Sequence, residues 1–502
     1  MKIFRILRLV TKMDKFVHLK EGKATVLFEN ENQVFYNPVQ QFNRDLSCCA
    51  IRAWSEEYAA SRKVRKRTSN GDVRPFITIL EALSATGLRA LRYALEIPYV
   101  KSVLANDFSP SAVAAIERNI KHNSASRLVT ASQGDANSVM YAHKQAPFNV
   151  IDLDPYGTAA PFIDAAVQAV SDGGLLLITC TDLSILAGTG YPEKCFANYG
   201  GFTTRTEFSH ESALRLVIST IATSAARYGK AVEPLLSLSI DFYVRVFVRI
   251  KNSPLQVKSL ASNTMMTYTC SGCGSTTCQP IGKTSQTDAG AVKHGFAQAP
   301  TVPPHCTHCG SVHHLGGPMW AGPLHDKSFI SKILTLIESP DSLDTDVYKT
   351  IPRIKAMLTL ANEEIDIPFY FTSSHISSIM RCSCPPLTTL TSALLNAGYA
   401  VSPTHAAPGA IKTTAPWEVV WDVLREWIKT NPVKLENIKQ GSPAHTLLLK
   451  TEPSFKVDFS PHPDANPPSR KIKLSRYPQN PPNWGPKARA KGDTKAKSDK
   501  SS

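Results

Sequence analysis

The run Asp152-Leu153-Asp154-Pro155-Tyr156-Gly157 places two carboxylates, a proline and a phenol within six residues. Upstream, carboxylates recur at Glu81, Asp107 and Asp135, each closing a short apolar run. Farther along, Cys270-x-x-Cys273 and Cys306-x-x-Cys309 are separated by 32 residues, and a glycine (Gly274, Gly310) follows each pair. Carboxylates so placed accept hydrogen bonds from ribose hydroxyls and from amines. Paired thiols over glycine turns form the donor set of a tetrahedral structural zinc site. Cys278, His305 and His308 are possible substitutes among those ligands.

The segment from Glu81 to Arg89 contains one glycine, Gly87. A dinucleotide carries a pyrophosphate and calls for the G-x-G-x-x-G cradle at a helix N-terminus, which is missing. Asp107 lies 26 residues after Glu81 and ends the second strand, where an acid can take both hydroxyls of a ribose. Acids after the first three strands suit a nucleoside without phosphates, S-adenosylmethionine. A lone Asp after a strand is more often a helix cap; three in register favour the ligand.

The fourth strand ends in Asp154-Pro155-Tyr156, which resembles the site of methyltransferases acting on planar exocyclic amines. Such a nitrogen has its lone pair delocalised into the ring and is barely nucleophilic. Hydrogen bonds from its N–H groups to the Asp154 carboxylate and the Pro155 carbonyl draw it toward a tetrahedral state. They strengthen as positive charge develops in the transition state. The Tyr156 ring would stack on the base. The bland alternative is a turn, which Asp, Pro and Gly all favour; its place after the three acids favours chemistry.

These residues need a scaffold. FITILEAL (76–83), SVLAND (102–107), LVTASQGD (128–135), FNVIDLD (148–154) and GLLLITC (174–180) read as buried strands. Ser109-Pro110 opens a helix with Val113, Ile116 and Ile120 on one face, and a long helix is predicted from His210 to Tyr228. LSLSIDFYVRVFVRI (236–250) supplies the last strands. Alternating buried strands and helices mean a parallel sheet covered on both faces, with ligands at the carboxyl ends of its strands. The fold class is α/β, a class I (Rossmann-like) methyltransferase domain followed by a mixed α/β domain with the four-Cys site.

The predicted organisation is a leader over the active site (1–60), a basic surface insertion (61–75), the methyltransferase domain (76–252), a C-terminal domain with the zinc site (253–452), which the resemblance given below makes tRNA-binding, and a basic Pro/Lys-rich tail (453–502). The chain has 502 residues, 42% of them hydrophobic, enough for two or three domains. No apolar run reaches the roughly 18 residues a bilayer requires, so no membrane partner is expected. The formal charge of +15 points to a polyanion, nucleic acid first. It is concentrated at the ends: residues 453–502 carry 11 Lys/Arg against 4 Asp/Glu, and residues 1–23 carry 7 against 2. The first 13 residues resemble a weak mitochondrial presequence, and five basic residues at 62–67 allow nuclear import; mitochondrion, nucleus or both are expected, with cytoplasm otherwise. Eleven cysteines without a secretory signal indicate reduced thiols, with Cys48, Cys49, Cys180 and Cys195 buried and Cys382 and Cys384 lacking a partner pair.

VFYNPVQQFNRDLS (34–47), LEALSATGLRALRY (80–93), ANDFSP (105–110), VIDLDPYGTAAPFIDAA (150–166), LLLITCTDLSILAG (175–188), YPEKCF (191–196), HESALRL (210–216) and MWAGPLHD (319–326) together resemble the tRNA (guanine-26-N2)-dimethyltransferases, eukaryotic type. The resemblance runs from about Lys20 to Pro486. It implies that Arg44 and Arg89 hold the methionine part of S-adenosylmethionine, Asp107 its ribose, and Asp135 and Ala136 its adenine. It further implies that Asp154 faces the amine, that Phe35 and Tyr156 sandwich guanine 26, and that Cys270, Cys273, Cys306 and Cys309 bind Zn2+. Without it, Arg44 reads as a packed residue paired to a carboxylate.

The target base must be flipped or already splayed. The chain from 310 to 450, with Trp320, His405, Lys412 and Trp417, and the basic tail are the candidate tRNA-gripping surface, although Trp417, Trp421 and Trp427 at helical spacing are more often core. A monomer with tRNA as partner and no obligate protein partner is expected. Adenine-N6 methylation is the same-class alternative, and a non-catalytic tRNA-folding protein is the alternative from another class. Intact acids at Asp107, Asp135 and Asp154 argue against the latter.

Overall fold

The computed structural model describes residues 16–28, 36–61, 74–288, 290–339, 347–449, 452–471 and 475. The presequence-like stretch, Phe35, the basic run 62–67 and most of the tail lie outside them. The chain opens with an antiparallel hairpin of β1 (Val17–Glu21) and β2 (Ala24–Phe28), followed by the long helix α1 (Gln41–Ser61).

Seven strands then form the central sheet: β3 (Ile77–Glu81), β4 (Val100–Asp107), β5 (Val129–Gln133), β6 (Phe148–Leu153), β7 (Val170–Cys180), β8 (Lys230–Ile240) and β9 (Tyr243–Asn252). Their spatial order is β5-β4-β3-β6-β7-β9-β8. The first five are parallel, while β9 runs antiparallel to β7 and β8. Strand order reverses between β3 and β6, which leaves a crevice at their carboxyl ends, where such sheets bind ligands.

Helices α2 (Leu88–Glu96), α3 (Pro110–His122), α4 (Ala136–Ala142), α5 (Ala160–Ala169), α6 (Leu183–Leu186), α7 (Pro192–Tyr199), α8 (Ser209–Ala226) and α9 (Pro254–Val257) connect these strands or follow them. Ser109 caps α3 with Pro110 in its first turn. The strands are near-continuous apolar runs because both sheet faces are covered. On one face lie α1, α2 and α3; on the other, α4, α5 and α8.

Beyond residue 252, β10 (Thr264–Cys270), β11 (Thr276–Pro280) and β14 (His313–Trp320) pair in the order β11-β10-β14. A separate hairpin of β12 (Gly282–Gln286) and β13 (Val292–Phe296) occupies the long interval between the Cys pairs. Helices α10 (Lys327–Glu338) and α11 (Ile351–Glu363) return to the central sheet and join its first core. A third core gathers the cysteines with β15 (Phe371–Thr372), α12 (Ser373–Met380), α13 (Leu387–Asn396), β16 (Val401–Pro403), β17 (Ala410–Thr413) and α14 (Trp417–Thr430). Among the described residues no helix is long and apolar enough to cross a membrane.

The expected tRNA-gripping residues turn inward. Lys412, on β17, is 2% exposed, with its Nζ 3.1 Å from both Glu211 Oε2 and Glu364 Oε2. His405 is buried against Glu364, its Nδ1 2.5 Å from Oε1. Trp320 is buried and donates to the Pro323 carbonyl at 2.9 Å. Trp417 stacks on the fully buried Trp421 with centroids 5.6 Å apart and donates to the Thr276 carbonyl. The Gly-, Thr- and Pro-rich context of Lys412 mimics an exposed loop. The carboxylates that draw it inside come from α8 and the end of α11, remote in sequence.

Candidate active site

Asp152 and Asp154 are two residues apart at the end of β6, so period-2 alternation sends both to the same side. Asp152 is buried: Arg245 on β9 donates Nη1 to Oδ1 at 2.8 Å and Nη2 to Oδ2 at 3.0 Å, and the Tyr93 hydroxyl also donates to it. Asp154 stands one step farther out, its side chain 25% exposed, and Oδ2 accepts from Arg89 Nη2. Burial alone would raise the Asp154 carboxyl. The Arg89 and Arg245 guanidiniums, with a hydrogen bond from Thr179, outweigh it and hold the group below its ordinary value. The carboxylate is therefore ionised at neutral pH.

The following loop is fastened to β7. Gly157 N donates to Thr181 Oγ1 and Thr181 N to the Gly157 carbonyl, both at 2.8 Å. Gly157 has φ +76°, a turn that glycine accommodates without strain. The fastened loop leaves Pro155 buried and the Tyr156 ring 77% exposed. Burial, then the charges of Asp154 and Asp107, raise the Tyr156 phenol, which stays neutral.

Asp107 ends β4. Its Oδ2 accepts from Ala85 N at 2.8 Å and its Oδ1 from Ser109 N at 2.9 Å, which leaves each oxygen a further lone pair. Asn106 donates to the Ala82 and Gly134 carbonyls and so ties the ends of β3 and β5 to β4. Asp135 is exposed and caps α4, accepting from Ser138 N at 2.8 Å through Oδ1; Ala136 is buried behind it. Asp107, Asp154 and Tyr156 thus share one crevice, and Asp135 stands at the neighbouring strand end.

Glu81 departs from the series of acids. It is 3% exposed, accepts from the Ser84 hydroxyl and from Ala90 N, and burial pushes its carboxyl up to about 8. It fastens the β3–α2 turn from inside.

Arg89 is buried, with Nη2 on Asp154 and Nη1 3.8 Å from Asp152 Oδ2. Nη1 makes no hydrogen bond among the described residues. Arg44 is engaged elsewhere: Nε and Nη2 clasp Glu21 at 2.6 and 2.5 Å, and the Tyr36 ring lies 5.1 Å from its guanidinium. That is the packed, carboxylate-paired arrangement. Glu21 also receives Arg92, whose Nη1 lies 2.7 Å from both Glu21 and Asp45. Phe35 is outside the described residues.

No motif in the sequence marks a role for Asp152, Arg245 or Arg92. A usable signal was present: Arg245 interrupts the apolar run of β9, and a charge there needs a buried counterpart.

The four cysteines converge. Cys270, Cys273, Cys306 and Cys309 are all buried, with ligand atoms within 4.8 Å of one another. Cys270 Sγ is 3.3 Å from Cys309 Sγ, and Cys273 Sγ is 3.7 Å from Cys306 Sγ. Gly274 and Gly310 have φ +72° and +75°, and their N–H groups donate to the Cys270 and Cys306 carbonyls. Cys278, on β11, stays outside the group.

A family profile described as N2,N2-dimethylguanosine tRNA methyltransferase matches residues 15–425. The chain belongs to this family. Among curated members, the tRNA (guanine(26)-N(2))-dimethyltransferase of Schizosaccharomyces pombe is 51% identical, covering 94% of this chain and 92% of its own. The Homo sapiens enzyme of the same name is 41% identical over 95% of this chain and 78% of its own. The Saccharomyces cerevisiae relative, 46% identical over 95% of this chain and 93% of its own, is described as mitochondrial. Among solved structures, Trm1 from Pyrococcus horikoshii in complex with S-adenosyl-L-methionine aligns with a TM-score of 0.66 and 26% identity. It covers 81% of this chain and 99% of its own.

Proposed function

We propose that this family member transfers two methyl groups from S-adenosyl-L-methionine to N2 of guanine 26 in tRNA, giving N2,N2-dimethylguanosine. The observation that carries this assignment is the ionised Asp154 carboxylate, fixed by Arg89, beside the exposed Tyr156 ring.

The crevice fits the methyl donor. Asp107 has two lone pairs left for two ribose hydroxyls. Asp135 offers Oδ2, with Ala136 beside it, to an adenine edge. The buried Arg89 Nη1, which lacks a hydrogen bond, suits the methionine carboxylate. Arg44, held on Glu21, would act by fixing the β1–β2 hairpin against α1. The donor supplies an electrophilic methyl on a sulfonium; the protein orients the acceptor for in-line attack. The N–C bond would form as the S–C bond breaks, the neutral thioether would leave, and the surplus amine proton would pass by way of Asp154 to water, so no covalent nucleophile is needed.

On the acceptor side, Asp154 and the Pro155 carbonyl take hydrogen bonds from the amine, and Tyr156 holds the base by stacking, a role Phe35 would share. After the first transfer one N–H remains. The monomethylated amine rotates so that Asp154 keeps that bond. Cys270, Cys273, Cys306 and Cys309 would hold one structural Zn2+ that pins β10 to β14. A monomer acting on tRNA is part of this proposal. The mitochondrial yeast relative supports mitochondrial residence.

The test is incubation with unmodified tRNA and labelled S-adenosyl-L-methionine, followed by nucleoside analysis. N2,N2-dimethylguanosine, lost in Asp154→Ala, is the expected product. N6-methyladenosine alone, or tight tRNA binding without product, would overturn the assignment.

A further inference from the structure

The turn between β8 and β9 consists of Asp241 and Phe242 alone, because Ile240 pairs directly with Tyr243. β8 runs in the same direction as β7, with β9 between them, so this turn lies at the carboxyl edge of the sheet, the edge that carries Asp107 and Asp154. Two-residue hairpins usually place Asn or Asp before Gly. Here Asp241 takes the left-handed conformation, φ +45°, and a phenylalanine follows. Arg353 on α11 braces the turn, with Nη2 2.8 Å from both carboxylate oxygens of Asp241, while its guanidinium lies 4.5 Å from the centre of the Phe42 ring. The braced turn presents a Phe242 ring that is 81% exposed.

Against the root of the turn lies a cavity of about 320 Å³, lined by Glu207, His210, Ser239, Asp241, Arg353 and Tyr370 among others. Its acids disfavour a phosphate, and the Arg353 cation is clasped by Asp241. Its lining is mixed, with Ile240, Met357, Ala406, Ala407 and Pro408 beside those polar groups, and suits a flat ring with a polar edge.

We propose that Phe242 and this cavity form a second nucleobase site, which takes a base of the tRNA immediately next to the methylated guanine. Phe242 is the stacking face, and the cavity receives the polar edge of the base. From β6 to the turn is two to three strand spacings, about 10–14 Å at about 4.8 Å each. Extruding the guanine unstacks its neighbours and frees them to splay across that span. Aromatic stacking tolerates any base, so one such site serves many tRNA sequences.

This inference rests on the tRNA-methylating function proposed above, and one set of kinetics separates the two. Phe242→Ala, Phe242→Leu and Phe242→Trp are assayed on unmodified tRNA and on tRNAs made abasic immediately before or after the target guanine. The Ala and Leu variants should raise KM for tRNA about tenfold, with kcat and KM for S-adenosyl-L-methionine unchanged. Trp should restore wild-type values. On one of the two abasic tRNAs the effect of Phe242→Ala should vanish, while the thermal midpoint stays at the wild-type value. An unchanged KM, an equal loss on every tRNA, a fall in kcat alone or a lowered midpoint would overturn the second site. Wild-type protein that methylates no tRNA would instead overturn the proposed function.

Discussion

Arg89 Nη2 donates to Asp154 Oδ2, so the carboxylate assigned to the target amine is anchored by a buried cation. The anchor keeps Asp154 ionised and aims it. Asp154→Ala should lower kcat about 10²–10³-fold, the usual cost of removing a preorganised transition-state contact. Because the Asp154 pKa is depressed, wild-type activity should fall only on strong acidification. Arg89→Met should move that acidic limb of the kcat/KM profile to higher pH, which a pH titration of both proteins would show.

Glu81 should behave in the opposite way. Its buried carboxyl is raised to about 8, so it carries its proton at neutral pH. Glu81→Gln keeps an acceptor for Ala90 N and should cost less than about 1 kcal/mol at pH 7, with methylation intact. Between pH 5 and pH 8 the wild type should lose stability relative to the Gln variant, because the unfolded chain releases the Glu81 proton near pH 4.5 and the folded chain keeps it to about 8. Denaturant unfolding at both pH values would check the sign.

Removing the proposed zinc should unfold the region around β10 and β14. Cys273→Ser or Cys309→Ser, or prolonged chelation, should lower the thermal midpoint markedly and abolish bound zinc in elemental analysis. Ligation in small zinc domains contributes on the order of 10 kcal/mol. Full stability with no zinc in the purified protein would contradict the site.

Lys412 sits between two buried carboxylates, so Lys412→Met should cost about 3–5 kcal/mol of stability by stranding Glu211 and Glu364. Urea unfolding would measure the loss. The same substitution should leave the salt slope of tRNA binding unchanged, whereas loss of a phosphate contact would reduce it by about one.

Acid should weaken the junction between the sheet and the C-terminal region. Burial lowers the pKa of His325, whose Nδ1 accepts from Ser237 N on β8, and of His210. Unfolded histidines take up protons below about pH 6.5, while these two resist in the folded state. Stability should therefore fall as pH drops below about 6.5, visible in thermal melts between pH 7 and 5.

The sheet and the crevice were legible because their signals are local. Buried strands announce themselves as apolar runs, and Asp107, Asp135 and Asp154 fall where those runs stop. The cysteine pairs declared themselves by spacing. Partners at long range did not: Arg44 reads by itself as a packed residue paired to a carboxylate and by the resemblance as a ligand of the methionine part, and only the folded hairpin reveals Glu21 as its mate. Lys412 and His405 were misplaced for the same reason, since a charge in a polar segment does not reveal a carboxylate waiting inside.

The late return of α10 and α11 has a consequence for biosynthesis. Leu235, Leu236, Leu238 and Phe247 on β8 and β9 share a core with Phe329, Ile330 and Ile333 of α10 and with Ile354 and Met357 of α11. The ribosome completes the sheet long before it makes those helices. At about 5–20 residues per second, the apolar face waits on the order of ten seconds for its cover. During that interval the nascent chain offers an incompletely covered β8–β9 face, and chaperone binding should concentrate there until α11 emerges.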